Sequence, residues 1–493
     1  MTVCRTIPEG IKYFAETTPE KTCLIDGVTG ETVSYADFWS NILRFAAFMK
    51  SQSLQAGDRV LFSTRQSLSH LTAFYGVQVA GGVAVPLERG LPEAKMLEFT
   101  DFFDAKFLVA ADRLNAACRV VLYDEYKNAP PADFPLETDD GKLAVIICTT
   151  GTTGKNKGVM SSYRCRFSGA DNVRHTYEIT PKDTALVPQV LSHSGGLRRV
   201  EAMLVSGAAA IIMGSAMFFG NIFDAVKKHN ATILQFVPAQ VAQILQFAEK
   251  MLVEIRPQLR IVSVGSAVIP DAHKERLREL LPGVRLFDDF GSTEAPGSAY
   301  FEWSAYPPKP GCVGLESLHS KLVFLDDAGN VISDSSRENP GLIATEGAAL
   351  MSGYWKEPEL SAETLRDGRF ISADLGYRGE DGLVYVLGRK DDMIICGANK
   401  ISPHEIEDAA SSIVGLKECA VLARPDPILG NIPVLFVAAD EGAELAPLDI
   451  YLYLSERLEK FKVPEVRNII IIANMPRSAG TGKILRRELA NLL

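Results

Sequence analysis

This chain has no basic surplus, no CxxC pair and no Walker-type loop, and each absence removes a class of function. Basic residues number 51 against 61 acidic, a net charge of −10, so a nucleic-acid partner is not expected, because phosphate binding shows itself as a basic surplus. The eight cysteines are scattered, which suits buried thiols in a reducing compartment rather than a disulfide framework or a zinc site. MTVCRTIPEGIKYF at the start has no apolar h-region, and ELANLL at the end matches no anchor or peroxisomal signal, so the expected location is cytoplasmic. One uncharged stretch, Ala202 to Phe223, has the length of a membrane span. Gly207, Gly214 and Gly220 cut it into pieces, and AAAIIM reads instead as a buried strand between two helices, so no membrane span is expected.

What is present is ordinary globular protein: 47% apolar and 23% charged residues, with 39 glycines and 26 prolines. At 493 residues the chain exceeds what one hydrophobic core organises, so more than one folding unit is expected. Up to about residue 130, helical spacing from Ser40 to Met49 and in HLTAFYGVQVAGG alternates with short strands, RVLFST, VAVPL and KFLVAA. That alternation predicts a parallel α/β layout. A Pro-rich acidic loop, Asn128–Lys142, leads into the apolar strand LAVIICTT, and the alternation resumes from Ala185 to Thr293. After about Tyr306 come short β-runs with hairpin turns at DAGN and EDG, which predict a small β-barrel-like region. Beyond the charged GRKDD, a compact α+β pattern follows, so the chain divides into residues 1–389 and 390–493.

Four stretches carry polar chemistry at strand ends. Thr149-Thr150-Gly151-Thr152-Thr153-Gly154-Lys155-Asn156-Lys157-Gly158 offers hydroxyls, two lysines and close-approach glycines, as a polyphosphate needs. A polar turn with solubilising lysines is the plain alternative. Asn156 after Lys155 breaks the GxxxxGK[ST] pattern. Phe287-Asp288-Asp289-Phe290-Gly291-Ser292-Thr293-Glu294 sets an aromatic beside glycine for stacking a base, with Thr and Glu in reach of phosphate and Mg²⁺. Asp374 and Arg389, fifteen residues apart at strand ends, could grip a ribose diol or form a surface ion pair. Pro476-Arg477-Ser478-Ala479-Gly480-Thr481-Gly482-Lys483 alone reads as a loop before a helix.

In order and spacing, these stretches resemble the adenylate-forming superfamily of acyl-CoA synthetases, standalone adenylation domains and luciferases, over essentially the whole chain. CTTGTTGKNKG is similar to the family's phosphate loop, DDFGSTE to its aromatic-Gly-x-Thr-Glu motif and SADLGYRGEDG to its ribose-binding motif. GRKDDMIICGANKISPHEIE resembles the hinge segment and PRSAGTGKILRREL the catalytic-lysine motif. The resemblance implies a large N-terminal domain of two α/β subdomains plus a small β-barrel-like subdomain, then a small mobile α+β C-terminal domain. It implies ATP, Mg²⁺ and coenzyme A as cofactor and substrates, and a carboxylate–CoA ligase working through an acyl-adenylate. Thr149, Thr150, Gly151, Thr152, Thr153, Gly154 and Lys157 would hold the β- and γ-phosphates. Asp288 would reach the adenine amino group, Phe290 would stack on the ring, Thr293 would touch the α-phosphate and Glu294 would hold Mg²⁺. Asp374 and Arg389 would bind the ribose hydroxyls, and Lys483 would bridge carboxylate and α-phosphate. Asp391 falls at the hinge and Gly397 where the pantetheine arm passes. Asn156, Phe290, Cys396 and Lys400 depart from the commoner Pro, Tyr, Ser and Asn.

The same resemblance puts the acyl pocket between HSGGLRRVEAML, QFVPAQVAQIL and VGSAVIP, with His193 at its mouth. Gly195, Gly196, Gly265, Ser266 and Ala267 are small and leave room for a ring or chain. The HSGG segment has no Asp to pair an amine, which disfavours α-amino acids. Arg198 and Arg199 could meet a second acidic group on the substrate, but at about 100° per helical residue they point about 120–140° from the His193 face, so they are expected to be solvated or subdomain-interface charges. The expected substrate is an aromatic or medium-sized aliphatic acid. A carrier protein in place of CoA is the alternative acceptor, a non-catalytic nucleotide binder the alternative of another class, and a homodimer a further expectation.

Overall fold

The structure, a computed structural model, describes residues 4–65, 67–150, 156–213, 219–397, 399–477 and 484–493. Strands Val83–Leu87, Phe107–Ala110, Ala209–Ile212, Ile233–Phe236 and Ile261–Gly265 are buried at every position. They show no apolar–polar alternation because helices cover both faces of their sheets, which is the environment parallel strands require. One seven-stranded sheet carries Val83–Leu87, Arg59–Ser63, Phe107–Ala110 and Arg119–Leu122 in parallel, with Leu143–Thr150 and Asn156–Ser162 as an antiparallel pair at one side.

The larger sheet has a parallel centre, in the order Arg285–Phe290, Ile261–Gly265, Ile233–Phe236, Thr184–Val187, Ala209–Ile212 and Thr22–Asp26. The β-rich region after Tyr306 continues this sheet. Ala299–Glu302 pairs antiparallel with Arg285–Phe290, and Cys312–Glu316, Val384–Arg389, Arg369–Arg378, Gly341–Gly347 and Ser320–Leu325 follow in hydrogen-bonded succession. One run of hydrogen bonds therefore reaches from the parallel α/β centre to the strands that carry Asp374 and Arg389.

Helix Ser194–Leu204 is buried at every position except Gly195. Its charged residues are accommodated by pairing: Glu201 accepts from Arg166 of helix Tyr163–Thr176, at 3.1 Å from Nε and 2.6 Å from Nη2, with both side chains at most 3% exposed. The uncharged stretch resolves into the end of this helix, the strand Ala209–Ile212 and a helix from Phe219. Among the described residues no helix is long and apolar enough to cross a membrane.

Residues from Ile394 onward form a separate five-stranded sheet in which Gly430–Ala439 pairs with Ile394–Cys396, Leu416–Asp426 and Ile469–Ile472, and Asn399–Ile401 lies outside Ile394–Cys396. Helices Pro403–Ser411 and Pro447–Ser455 pack on it around Ile406, Leu435, Ile450 and Leu454. Gln246 Nε2 donates to Asp440 Oδ1 at 3.3 Å across to this part. A sheet and core of its own support the division we propose at 389/390.

Candidate active site

The carboxyl ends of the parallel strands open into a cavity of about 1550 Å³. Val187 leads into Pro188 and Gln189, Phe236 into Val237, Gly265 into Ser266, and Phe290 into Gly291–Glu294, and the residues after each strand line the space. Ligands of open α/β sheets bind at this edge, where chains leave the sheet and backbone groups are not yet paired.

Thr149 and Lys157 enter from the antiparallel pair, where they are register partners. Gly151, Thr152, Thr153 and Gly154 lie outside the described residues, as does the side chain of Thr150. The Lys157 ammonium sits 5.4 Å from the ring centre of Tyr354, whose hydroxyl donates to Glu294 Oε1 at 2.9 Å. Burial and then the Glu294 charge push the Tyr354 hydroxyl well above its ordinary pKa, so it remains a donor. Met351 N donates to the Glu294 carbonyl at 2.8 Å, which fixes the backbone of that turn. Gly291 cannot carry a side chain: an ideal Cβ would lie 2.6 Å from Gly297 N and 2.9 Å from Ala295 O. Thr293 and Glu294 both face the cavity.

Asp374 and Arg389 are cross-strand partners between Arg369–Arg378 and Val384–Arg389, and both line the cavity with Ser372 and Lys390. Burial raises the Asp374 carboxyl, and Arg389 opposes the rise. Asp391 also lines the cavity, in the short 3-10 turn Lys390–Asp392. From the C-terminal part, Asn474, Met475 and Arg477 reach the same space, and Arg477 forms an isolated bridge with Ile484. Lys483 lies outside the described residues. Gly397, at φ +60°, donates its N–H to Leu429 O at 2.7 Å and is not among the cavity-lining residues.

The strand Arg285–Phe290 divides its two aspartates between its two faces. Asp288 is held by Lys274 Nζ at 3.1 Å and is not among the cavity-lining groups. Phe290 packs beside Ala299, Leu322, Phe324, Ile343 and Val384 and is likewise not lining. Asp289 faces the cavity. Its Oδ2 accepts from Arg198 Nη2 at 2.8 Å and from Arg199 Nη2, with all three side chains at most 8% exposed. Burial alone would raise the Asp289 carboxyl, but the two guanidiniums hold it below its ordinary value.

This corrects the expectation that Arg198 and Arg199 are solvated or interface charges. The face opposite His193 is not turned to solvent: this helix is enclosed, and its far face meets the same cavity. His193, Gly195, Gly196 and Ser266 line the cavity as well. Gly265 and Ala267 are not lining, and Gly265 instead makes room for Asp289, whose Cβ lies 3.1 Å from where a Gly265 Cβ would be. Ser266 sits at φ +76°, a conformation non-glycine residues rarely adopt, which turns it out of the strand toward the cavity. Tyr354 and Asp289 were not singled out from sequence. Each acquires its role through a partner sixty or ninety positions away, for which no local pattern exists.

The cavity suits an anionic nucleotide with a hard cation. Among the described residues no cluster of three or more potential metal ligands occurs, so a protein cage for a metal is absent from them. Glu294, which lines the cavity together with Thr149 and Lys157, matches the way Mg²⁺ is usually held, by one or two carboxylates plus substrate phosphates.

A family model described as AMP-binding enzyme matches residues 11–355, and one described as AMP-binding enzyme C-terminal domain matches residues 405–483. A feruloyl-CoA synthase from Amycolatopsis is 27% identical over 487 residues, covering 96% of each chain. A 2-succinylbenzoate–CoA ligase from Geobacillus kaustophilus is 27% identical over 500 residues, covering 99% of this chain and 98% of its own. Among solved structures, ATP-bound MatB from Rhodopseudomonas palustris superimposes with a TM-score of 0.87 at 25% identity, over 98% of both chains.

Proposed function

The chain belongs to the AMP-binding enzyme family, and from that premise and the cavity's side chains we infer that it is an AMP-forming carboxylate–CoA ligase. The observation that carries this reading is one cavity into which Thr149 and Lys157, Thr293 and Glu294, and Asp374 and Arg389 all project, from stretches far apart in sequence. The full-length relatives named feruloyl-CoA synthase, indoleacetate–CoA ligase and 2-succinylbenzoate–CoA ligase support both the reaction class and an aromatic or medium-sized acid as substrate.

In this reading Thr149, Lys157 and the loop between them hold the β- and γ-phosphates of ATP, and Asp374 and Arg389 hold the ribose hydroxyls. Mg²⁺, when bound at Glu294, neutralises charge on the phosphate oxygens. Tyr354 fixes the Glu294 carboxylate through its hydrogen bond. Thr293 meets the α-phosphate, and His193 lines the path of the incoming carboxylate. A carboxylate oxygen attacks the α-phosphorus as the bond to pyrophosphate breaks, and Lys483 bridges the two anions. The thiol of CoA then attacks the acyl carbonyl and AMP leaves with the bonding electrons. Asp391 serves as the hinge between the two steps and Gly397 borders the pantetheine path. The Asp288 carboxylate, engaged by Lys274, would have to leave that partner to meet adenine. Eight free thiols support a reducing, cytoplasmic setting.

The test is pyrophosphate release from ATP and Mg²⁺ across a panel of carboxylic acids, comparing wild type with Lys483→Ala. One acid should trigger release that the variant abolishes, and adding CoA or a phosphopantetheinylated carrier protein then identifies the acceptor. A panel without release would overturn the ligase reading.

A further inference from the structure

The floor of the cavity holds more positive charge than the protein itself neutralises. Arg198 and Arg199 share one acceptor, Asp289 Oδ2, and their other hydrogen bonds go to neutral groups: Tyr300 Oη at 3.3 Å for Arg198 and the Gly195 carbonyl at 3.1 Å for Arg199. Glu201, on the same helix, is neutralised by Arg166, and Asp288, on the opposite face of the strand, is held by Lys274. One positive charge is left over where side chains are 7–8% exposed. Polar capacity is left over too, since Arg198 Nε, Arg199 Nε and Ser194 Oγ are buried without a hydrogen-bond partner. Uncompensated buried charge is costly, so such a site is built for an anion that arrives from outside.

The opening for that anion lies at Gly195. A Cβ there would stand 3.7 Å from Arg199 Nη1 and 3.9 Å from Ser266 Oγ, so the missing side chain leaves a gap bordered by a guanidinium and a hydroxyl. Both groups line the cavity that holds Thr293 and Glu294. A substrate ammonium would meet two guanidiniums there, with the one carboxylate already engaged, so an amino acid does not fit. Resting on the ligase reading above, we propose that the acid substrate carries a second carboxylate, bound between Arg199, Arg198, Ser194 and Ser266, while its first carboxylate is the one activated.

The experiment measures pyrophosphate release by the full-length enzyme with matched acids: adipate against hexanoate, 2-carboxyphenylacetate against phenylacetate, and each diacid against its monoamide on the remote carboxyl. Wild type should favour a diacid over its matched monoacid and monoamide by about 100-fold in kcat/KM, through KM, as expected for a buried charge pair. Arg199→Gln should collapse that ratio by a similar factor, and Arg199→Lys should restore part of it. The wild-type comparison stands even if the variants fold poorly. Monoacids used as well as diacids would overturn the second-carboxylate site and leave the ligase reading intact. Equal losses for both classes in Arg199→Gln would also overturn it, because the arginine would then serve the reacting carboxylate or the fold. Absence of release with every acid would overturn the ligase reading, and the site with it.

Discussion

The Arg166–Glu201 pair tests how buried charge is held beneath the site, because its two halves should fail differently with pH. Arg166→Met strips the partner from a carboxylate that is 1% exposed. Burial already raises the Glu201 carboxyl despite Arg166. Without the guanidinium it takes up a proton in the folded state, since isolated buried carboxyls reach pKa values of roughly 8–9. Between its unfolded value near 4.5 and that raised value, the folded state binds a proton that the unfolded state lacks, so stability falls as pH rises through the window. At about 1.4 kcal/mol per unit, Arg166→Met should cost up to about 3 kcal/mol more at pH 8 than at pH 5.5.

Glu201→Gln leaves a buried guanidinium, which keeps its proton throughout this range, so its loss should be about 3–5 kcal/mol at both pH values. Replacing both residues by Met should recover most of the deficit, because no charge is then stranded. The assay is urea unfolding followed by tryptophan fluorescence. Trp39, Trp303 and Trp355 are the only tryptophans, so the signal reports the part before residue 390. Parallel pH dependence in both single variants, or a double variant no better than the worse single, would refute the reasoning.

Two further outcomes follow from the geometry. Tyr354→Phe removes the hydrogen bond to Glu294 and should lower kcat/KM for MgATP by roughly 10- to 100-fold, the range for a hydrogen bond to a charged group; a Mg²⁺ titration of pyrophosphate release that matches wild type would exclude that role. Asp408, on helix Pro403–Ser411, is pushed up to about 7 by burial and then by the Asp271 charge. Its folded value lies above its ordinary one, so wild-type stability should fall as pH rises from about 4 to 7, by about 1–3 kcal/mol, and Asp408→Asn should flatten that slope in thermal melts followed by circular dichroism.

The parallel strands, the helices between them and the appended α+β part were legible in the sequence because each depends on local periodicity, and strand burial on two sides leaves a visible apolar run. The cavity-facing Thr293–Glu294 and Asp374–Arg389 were legible through motif spacing. The division of labour between Asp288 and Asp289 was not. Both sit in one strand, and their opposite faces meet different helices: Lys274 on Asp271–Leu280 takes one, and Arg198 and Arg199 on Ser194–Leu204 take the other. Which aspartate reaches the ligand depends on the packing of those helices. Arg198 and Arg199 were misread for the same reason, since a wheel distinguishes faces but not what each face meets.

Charge shows how an acidic chain can serve a polyanion. The protein carries −10 overall, yet among the described residues the cavity is lined by eight lysines and arginines against seven acidic side chains. The acidic excess therefore lies elsewhere on the molecule, where at physiological ionic strength it is screened within about 8 Å. Net charge argues against nucleic acid because a long phosphate backbone would have to run over that surface. A nucleotide and a small acid need only the cavity, where balance is set locally by Lys157, Arg389 and the Arg198–Arg199–Asp289 cluster. Of these, the cluster alone is enclosed with an unmatched charge. Specificity for the acid is accordingly expected to follow from the charge state of this floor more than from the size of the space above it.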